Sequence, residues 1–352
     1  MIDKLLSRRI ALLRFPLIVS IVYIHMHTAD IHFGGSYAHW FERTATYIAE
    51  YLARISVPLF FLLSGYLFFA TLKPTAEGYL KKYKSRFRTL LVPFLFWNAL
   101  IFCFYLIAQT LPATAGYFSG DRPIIPDLGF WERIRLFFGV GEFQYPVAYQ
   151  FWFIRDLLFM VLLSPLLYLL LRFVPWLLLG GLFIVWVQQW YPHHIVQIDP
   201  TSVLFFTLGA YGALKACDMR FFDTHRKAIV VVYLLLSLGA LLTGDNSYLQ
   251  QISIFVGVFA VLVLTAYFAQ SAQADRLIEM EKYSFFLFAI HEPLQSVLRK
   301  VVLKAGHIES DIAFFLLYLL VPAATVWIVL QLYKVWEKYL PGLLRTATGE
   351  RV

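Results

Sequence analysis

The sequence predicts an all-α protein, a polytopic bundle of about ten transmembrane helices with both termini in the cytoplasm. Three observations carry this reading. Of 352 residues, 60% are hydrophobic, 18% aromatic and only 15% charged, where a soluble domain has roughly a quarter of its residues charged. The apolar residues form repeated blocks of about 17 to 25 residues, the length an α-helix needs to cross hydrocarbon. Lys and Arg collect in alternate connectors. Backbone groups in lipid must be satisfied within their own segment, so blocks this long read as helices, whereas barrel strands would be shorter and alternating.

The first block, 11–29, follows Lys4, Arg8 and Arg9. A signal peptide has that beginning, but no small-residue cleavage site follows and Arg14 interrupts the run, so the block reads as a retained helix. The others are 47–72, 87–111, 150–171, 175–191, 200–215, 228–243, 249–270, 283–303 and 312–333. The shorter blocks only just span. Residues 1–352 read as a single membrane domain without internal repeats or low-complexity segments.

Orientation follows from the cations. With the N-terminus inside, the cytoplasmic segments hold the cluster Lys73, Lys81, Lys82, Lys84, Arg86 and Arg88. They also hold Arg172, Lys215, Arg220, Arg226, Lys227, Arg276, Lys282 and the basic tail. The opposite face has Arg43, Arg122, Arg133, Arg135, Arg299, Lys300 and Lys304, the asymmetry of the positive-inside rule. The net charge of +8 is thereby assigned to lipid headgroups. No zinc-ligand spacing or stacking-platform motif supports a metal site or nucleic-acid binding. Cys103 and Cys217 form no CxxC pair, and no disulfide between them is expected.

Ionisable groups inside apolar helices cost about 3 kcal/mol or more at mid-membrane and are candidates for function. The chain has Arg14, His25, His27, Arg54, Arg155, Asp156, His291 and Glu292 in such places. Arg155 and Asp156, near a helix end, read first as bonds to neighbouring helices. Arg14 and His25 are eleven positions apart, which returns them to within about 20° of one face and separates them by about 16 Å along the axis. His27 is turned about 200° from His25. One face thus offers a cation near the cytoplasmic end and an imidazole nearer the outside. Ser64-Gly65-Tyr66 ends the second block, where Gly65 permits close approach of a helix or ligand. Arg86 and Arg88, just before Pro93 and Trp97, are membrane anchors or a phosphate clamp, since guanidinium binds phosphate bidentately. The longest outside connector, about 112–149, carries Trp131, Phe137, Phe138, Phe143 and Tyr145, aromatic residues suited to the membrane interface or to sugar faces.

Taken in order, Arg14 and His25, the Phe60–Tyr66 stretch, Arg86-Phe87-Arg88 leading to Pro93, and Tyr283-Ser284-Phe285 running to His291 and Pro293 resemble the acyltransferase-3 family of bacterial membrane acyltransferases. Trp152-Phe153-Ile154-Arg155-Asp156-Leu157 also resembles that family's mid-chain helix. The resemblance implies a ten-helix, multi-pass protein of the bacterial inner membrane, of the stand-alone type without a fused soluble domain. It implies transfer of an acetyl or other short acyl group from cytoplasmic acyl-CoA to a hydroxyl of an extracytoplasmic glycan or lipid-linked sugar. His25 matches the family's essential histidine, and Arg14, Arg86 and Arg88 its essential arginines. The His291 motif is matched less sharply.

The residues suit that chemistry. Arg86, Arg88 and Arg14 can hold the phosphates of acyl-CoA, a co-substrate rather than a bound cofactor, and neutral His25 can take the proton of an attacking hydroxyl. Asp30, Glu42 and Glu292 are alternative carboxylates to orient it. Ser64 is a candidate covalent nucleophile, and Tyr66, Trp152, Arg155, His291 and Glu292 are accessory candidates. The rival reading is a proton-coupled secondary transporter or flippase for a polysaccharide precursor, using the buried charges as a relay. A structural subunit of an export complex is a third reading. No paired interrupted helices in two similar halves support the transporter.

Overall fold

A computed structural model of the chain describes residues 3–26, 39–118, 123–190, 197–244, 247–306 and 310–350. Among these residues every regular element is helical. In order they are α1 (Lys4–Ile24), α2 (His39–Thr46), α3 (Ser56–Ala70), α4 (Ala76–Arg86), α5 (Val92–Thr110), α6 (Pro112–Phe118), α7 (Phe130–Phe138) and α8 (Trp152–Phe173). There follow α9 (Pro175–Val187), α10 (Pro200–Leu214), α11 (Arg226–Thr243), α12 (Ser247–Phe268), α13 (Ala272–Glu279), α14 (Ser284–Gly306), α15 (Asp311–Tyr339) and α16 (Pro341–Thr348).

Each of the ten apolar blocks coincides with a helix, but their lengths differ. Helical stretches over Arg43–Ala70, Ala76–Thr110, Tyr149–Phe173, Met219–Thr243, Ser247–Phe268 and Ile312–Tyr339 are long and apolar enough to cross a membrane. Helices α9 and α10 are apolar but shorter, while α1 and α14 carry charges along their length.

Helix α1 begins at Lys4 rather than near residue 11, because Asp3 caps it: the Asp3 carboxylate accepts the Leu6 N–H at 2.8 Å, satisfying one of the orphan donors of a helix start. Arg220 secures this end, bonding both Asp218 at 2.6 Å and Asp3 at 2.9 Å. That guanidinium also holds the Asp218 carboxyl below the usual carboxylate range. The C-terminal boundary differs too. The helix stops at Ile24, so His25 is its C-cap, the His25 N–H still donating to the Ile21 carbonyl at 3.2 Å.

Two helices meet at backbone contact in the centre. A Cβ on Gly65 of α3 would stand 2.0 Å from the Phe206 carbonyl oxygen, and one on Gly209 of α10 would stand 2.0 Å from that of Leu62. The close approach expected at Gly65 therefore occurs, and glycine is required on both sides. Around this pair a single aromatic-rich core gathers residues from α1, α3, α5, α8, α10, α12, α14 and α15.

Prolines shape the helices near the core. Pro58 and Pro93 have no N–H, which leaves the carbonyls of Arg54 and Thr89 without their helical donors. Just upstream of each proline the helix departs from α geometry. A wide π turn at Tyr47–Leu52 leads into a 3₁₀ turn at Ala53–Ile55, and a second π turn occupies Phe87–Leu91. Arg54 lies within the first irregular stretch and Arg86 immediately before the second.

The connector after α5 is folded. Gln109 donates to the carbonyls of Phe118 and Pro123 and accepts from the Ile125 N–H at 2.9 Å, and Ile125, Leu136 and Val147 form a small core beneath α7. Phe130 and Trp131 at the start of α7 are each 69% exposed. At the chain's end α16 docks on α5, with Trp97 Nε1 donating to the Ala347 carbonyl at 2.9 Å. Cys103 and Cys217 are free thiols.

Candidate active-site cavity

A cavity of about 760 Å³ lies inside the bundle, walled by α1, α3, α8, α14 and the junction of α4 with α5. Helix α1 lines it with Ile10, Arg14, Ile18, Ile21 and His25, a recurrence of three or four residues that traces one helix face. The sequence-based alignment of Arg14 with His25 thus describes a real wall. Much of the remaining lining is apolar, with Leu63, Leu67, Leu157 and Phe288 among it.

Arg14 and Arg86 both line the cavity, together with Glu281 and Lys282 from the turn Met280–Tyr283. Arg14 is paired with Glu281, and Lys282 with Glu337 on α15 at 3.5 Å. Arg86 forms no ion pair with the described residues. Arg88 lies elsewhere. It is 67% exposed and paired with Glu350 at 3.2 Å, which ties the tail beyond α16 to α5. Residues two apart on a helix do not share a face, so only one of the two arginines reaches the cavity.

His25 also lines the cavity, about 16 Å from Arg14 along the α1 axis. Its Nδ1 is hydrogen-bonded to the Tyr149 hydroxyl at 2.6 Å, one of the two being the donor according to tautomer. Its ring packs on that of His291, centroids 5.1 Å apart. His291 is completely buried, and its Nδ1–H donates to the Phe288 carbonyl at 2.7 Å. Glu292 accepts a hydrogen bond from Ser296 at 2.9 Å on its own helix. Among the described residues the group bonded to the His25 ring is thus a phenol, not a carboxylate. His27 and Asp30 lie outside the described residues, as does the side chain of Glu42.

The remaining candidates divide. Ser64 and Trp152 line the cavity, and Trp152 packs on Phe61 with centroids 6.3 Å apart. Tyr66 is buried with its hydroxyl donating to the Cys217 carbonyl at 3.3 Å, so it helps hold the connector after α10. Arg155 and Asp156 are buried away from the cavity as a structural knot. Arg155 binds Asp156 at 2.9 and 3.0 Å and the carbonyls of Gly139, Gln144 and Gln197 at 2.5, 2.9 and 2.5 Å. The second Asp156 oxygen accepts the Asp199 N–H at 2.8 Å. This pair bonds neighbouring segments, as its position near a helix end suggests. Among the described residues no group of three or more His, Cys, Asp or Glu could hold a metal ion.

Three residues at the site are not singled out by sequence reasoning: Tyr149, Gln150 and Glu281. Tyr149 and Gln150 end a long connector, and their only local signal is adjacency to Trp152. Gln150 lines the cavity almost fully buried, its Nε2 donating to the Ala289 carbonyl at 2.8 Å. Glu281 reads in sequence as one charge of a mixed connector, with nothing to link it to Arg14.

Comparison with known proteins places the whole chain in context. A family described as an acyltransferase domain matches residues 8–333. The chain is 26% identical over 363 residues to the succinoglycan biosynthesis protein ExoH of Rhizobium meliloti (strain 1021), covering 99% of this chain and 94% of that protein. No solved structure matches it.

Proposed function

The chain belongs to the acyltransferase domain family, and on that premise we propose that it is a membrane O-acyltransferase. It moves an acetyl or other short acyl group from cytoplasmic acyl-CoA to a hydroxyl of an extracytoplasmic glycan or lipid-linked sugar. The observation that carries this reading is one continuous cavity with Arg14 and Arg86 lining it together with His25. The similarity to a succinoglycan biosynthesis protein favours a glycan as acceptor, and the family supports an enzyme over a transporter.

The two arginines supply fixed positive charge for phosphates. The apolar lining of the cavity accommodates the uncharged arm of the donor and leads its thioester towards His25. There the neutral imidazole is arranged as a base if Nδ1–H donates to the Tyr149 oxygen, which leaves the Nε2 lone pair available. Nε2 takes the proton of the acceptor hydroxyl as its oxygen attacks the thioester carbonyl carbon. The C–S bond breaks, and the departing thiolate receives the proton from the imidazolium, leaving an ester and free CoA. Direct transfer is favoured over an acyl-serine route because His25 is bonded to Tyr149, and Ser64 has no comparable bond to a base among the described residues.

In this arrangement all ten helical blocks cross a bacterial inner membrane and both termini face the cytoplasm. Reporter tags after Lys82 and Arg220 should then read as cytoplasmic and a tag at Gly116 as external. A cytoplasmic signal from Gly116 would reverse the assignment of donor and acceptor sides. The activity is tested by adding acyl-CoA to purified protein in nanodiscs with a glycan acceptor and measuring CoA release. In parallel, surface glycans of wild-type and deletion cells are compared by mass spectrometry. Loss of one acyl mass per modified sugar is expected on deletion; unchanged glycans and no acceptor-dependent CoA release would remove the proposal.

A further inference from the structure

We propose that Glu281 is a resident counter-anion of the donor-binding cations, setting how much phosphate charge a ligand must carry to bind. This rests on the reading of the cavity as an acyl-CoA site and goes beyond it by assigning a residue that disfavours weakly charged ligands. Arg14 lines the cavity yet is already paired with Glu281, which lines it too. Arg86, on the same cavity, has no such partner among the described residues. Lys282, the next residue in the same turn, is held back by Glu337 at 3.5 Å. Of these three cations, one is open and two are occupied by carboxylates.

The pair is built to exchange. Arg14 and Glu281 are part-exposed, with side-chain exposures of 43% and 26%, so neither is locked away as Arg155 and Asp156 are, at 6% and 0%. Glu281 sits in a short 3₁₀ turn between α13 and α14 rather than within a long helix, where its side chain could swing aside without moving a wall. A ligand with a single phosphate can satisfy Arg86 alone. A ligand with several phosphate charges can also take Arg14, and its charge-assisted bonds replace the one to Glu281. Discrimination arises because displacing a carboxylate is repaid only by a stronger or more highly charged anion.

Removing the carboxylate should therefore tighten binding, a result that damage to the fold does not produce. CoA and 4′-phosphopantetheine are titrated against wild type, Glu281→Gln, Glu281→Ala and Arg86→Ala in nanodiscs at fixed ionic strength. Both Glu281 variants should bind CoA on the order of tenfold more tightly, the scale of one charge-assisted contact. The ratio of CoA to phosphopantetheine affinity should also narrow, because the smaller ligand gains access to Arg14. Unchanged or weaker CoA binding in both Glu281 variants, with Arg86→Ala still weakening it, would overturn the role of Glu281 while leaving the donor site in place. CoA binding that Arg86→Ala leaves intact would overturn the donor site itself, and this inference with it.

Discussion

The protein has two groups of charge set among its apolar helices, and they are organised in opposite ways. Around Arg155 the charges are consumed: the guanidinium makes five hydrogen bonds, and Asp156 ties off both it and the Asp199 backbone. Around the cavity the valences are left open or exchangeable. Arg86 lacks a counter-ion among the described residues, Arg14 holds a part-exposed carboxylate, and His25, which lines the cavity, has only its Nδ1 bonded, to Tyr149, among the described residues. Each group includes ionisable residues on apolar helices, so their presence there alone does not distinguish them. What separates them is saturation. A saturated charge fastens segments together, and an unsaturated one is available to a substrate.

That distinction is sharpest at the chemistry. His25→Ala should lower kcat by about 10²–10⁴-fold, the range of a general base, while donor binding measured by titration stays intact. Loss of donor binding in step with turnover would make His25 a structural residue like Arg155. In the saturated knot, Arg155→Ala should leave Asp156 buried and unpaired at about 3–5 kcal/mol. It should appear as a large fall in thermal stability in detergent, with the donor KM of the surviving folded fraction unchanged. A raised donor KM at full stability would erase the contrast.

Arg86→Ala should raise the donor KM on the order of tenfold to a hundredfold, with Lys restoring only part because it lacks the bidentate fork; steady-state kinetics against acyl-CoA concentration provide the check. Tyr149→Phe removes only the oxygen bonded to Nδ1, so it should lower kcat by about tenfold without moving either KM. A change in donor KM instead would place Tyr149 in binding rather than in orienting His25. Arg88→Ala is expected to alter donor KM by about twofold at most, since an exposed ion pair contributes little. An effect equal to that of Arg86→Ala would show that the two arginines act as one clamp after all.

The candidates legible in the sequence were those whose signal is local. Arg14 and His25 are found because one helix carries both, and rise and twist per residue suffice to align them. Gly65 is found because a glycine in an apolar helix signals close approach, although its partner Gly209 is visible only once α3 and α10 are packed. Arg86 and Arg88 look equivalent in sequence, and the cavity wall separates them. Tyr149 and Glu281 stay hidden because their partners lie far along the chain, His25 at one end of α1 and Arg14 in its middle.

By itself, then, the sequence determined the class of the protein: long apolar helices in a membrane, with histidine and arginine on one face of the first. That much follows from the need of each backbone segment in lipid to satisfy its own hydrogen bonds. Only the tertiary structure decided which charges are spent on architecture and which remain open. Saturation depends on what neighbouring helices bring within about 3 Å, and no spacing within one helix contains that information.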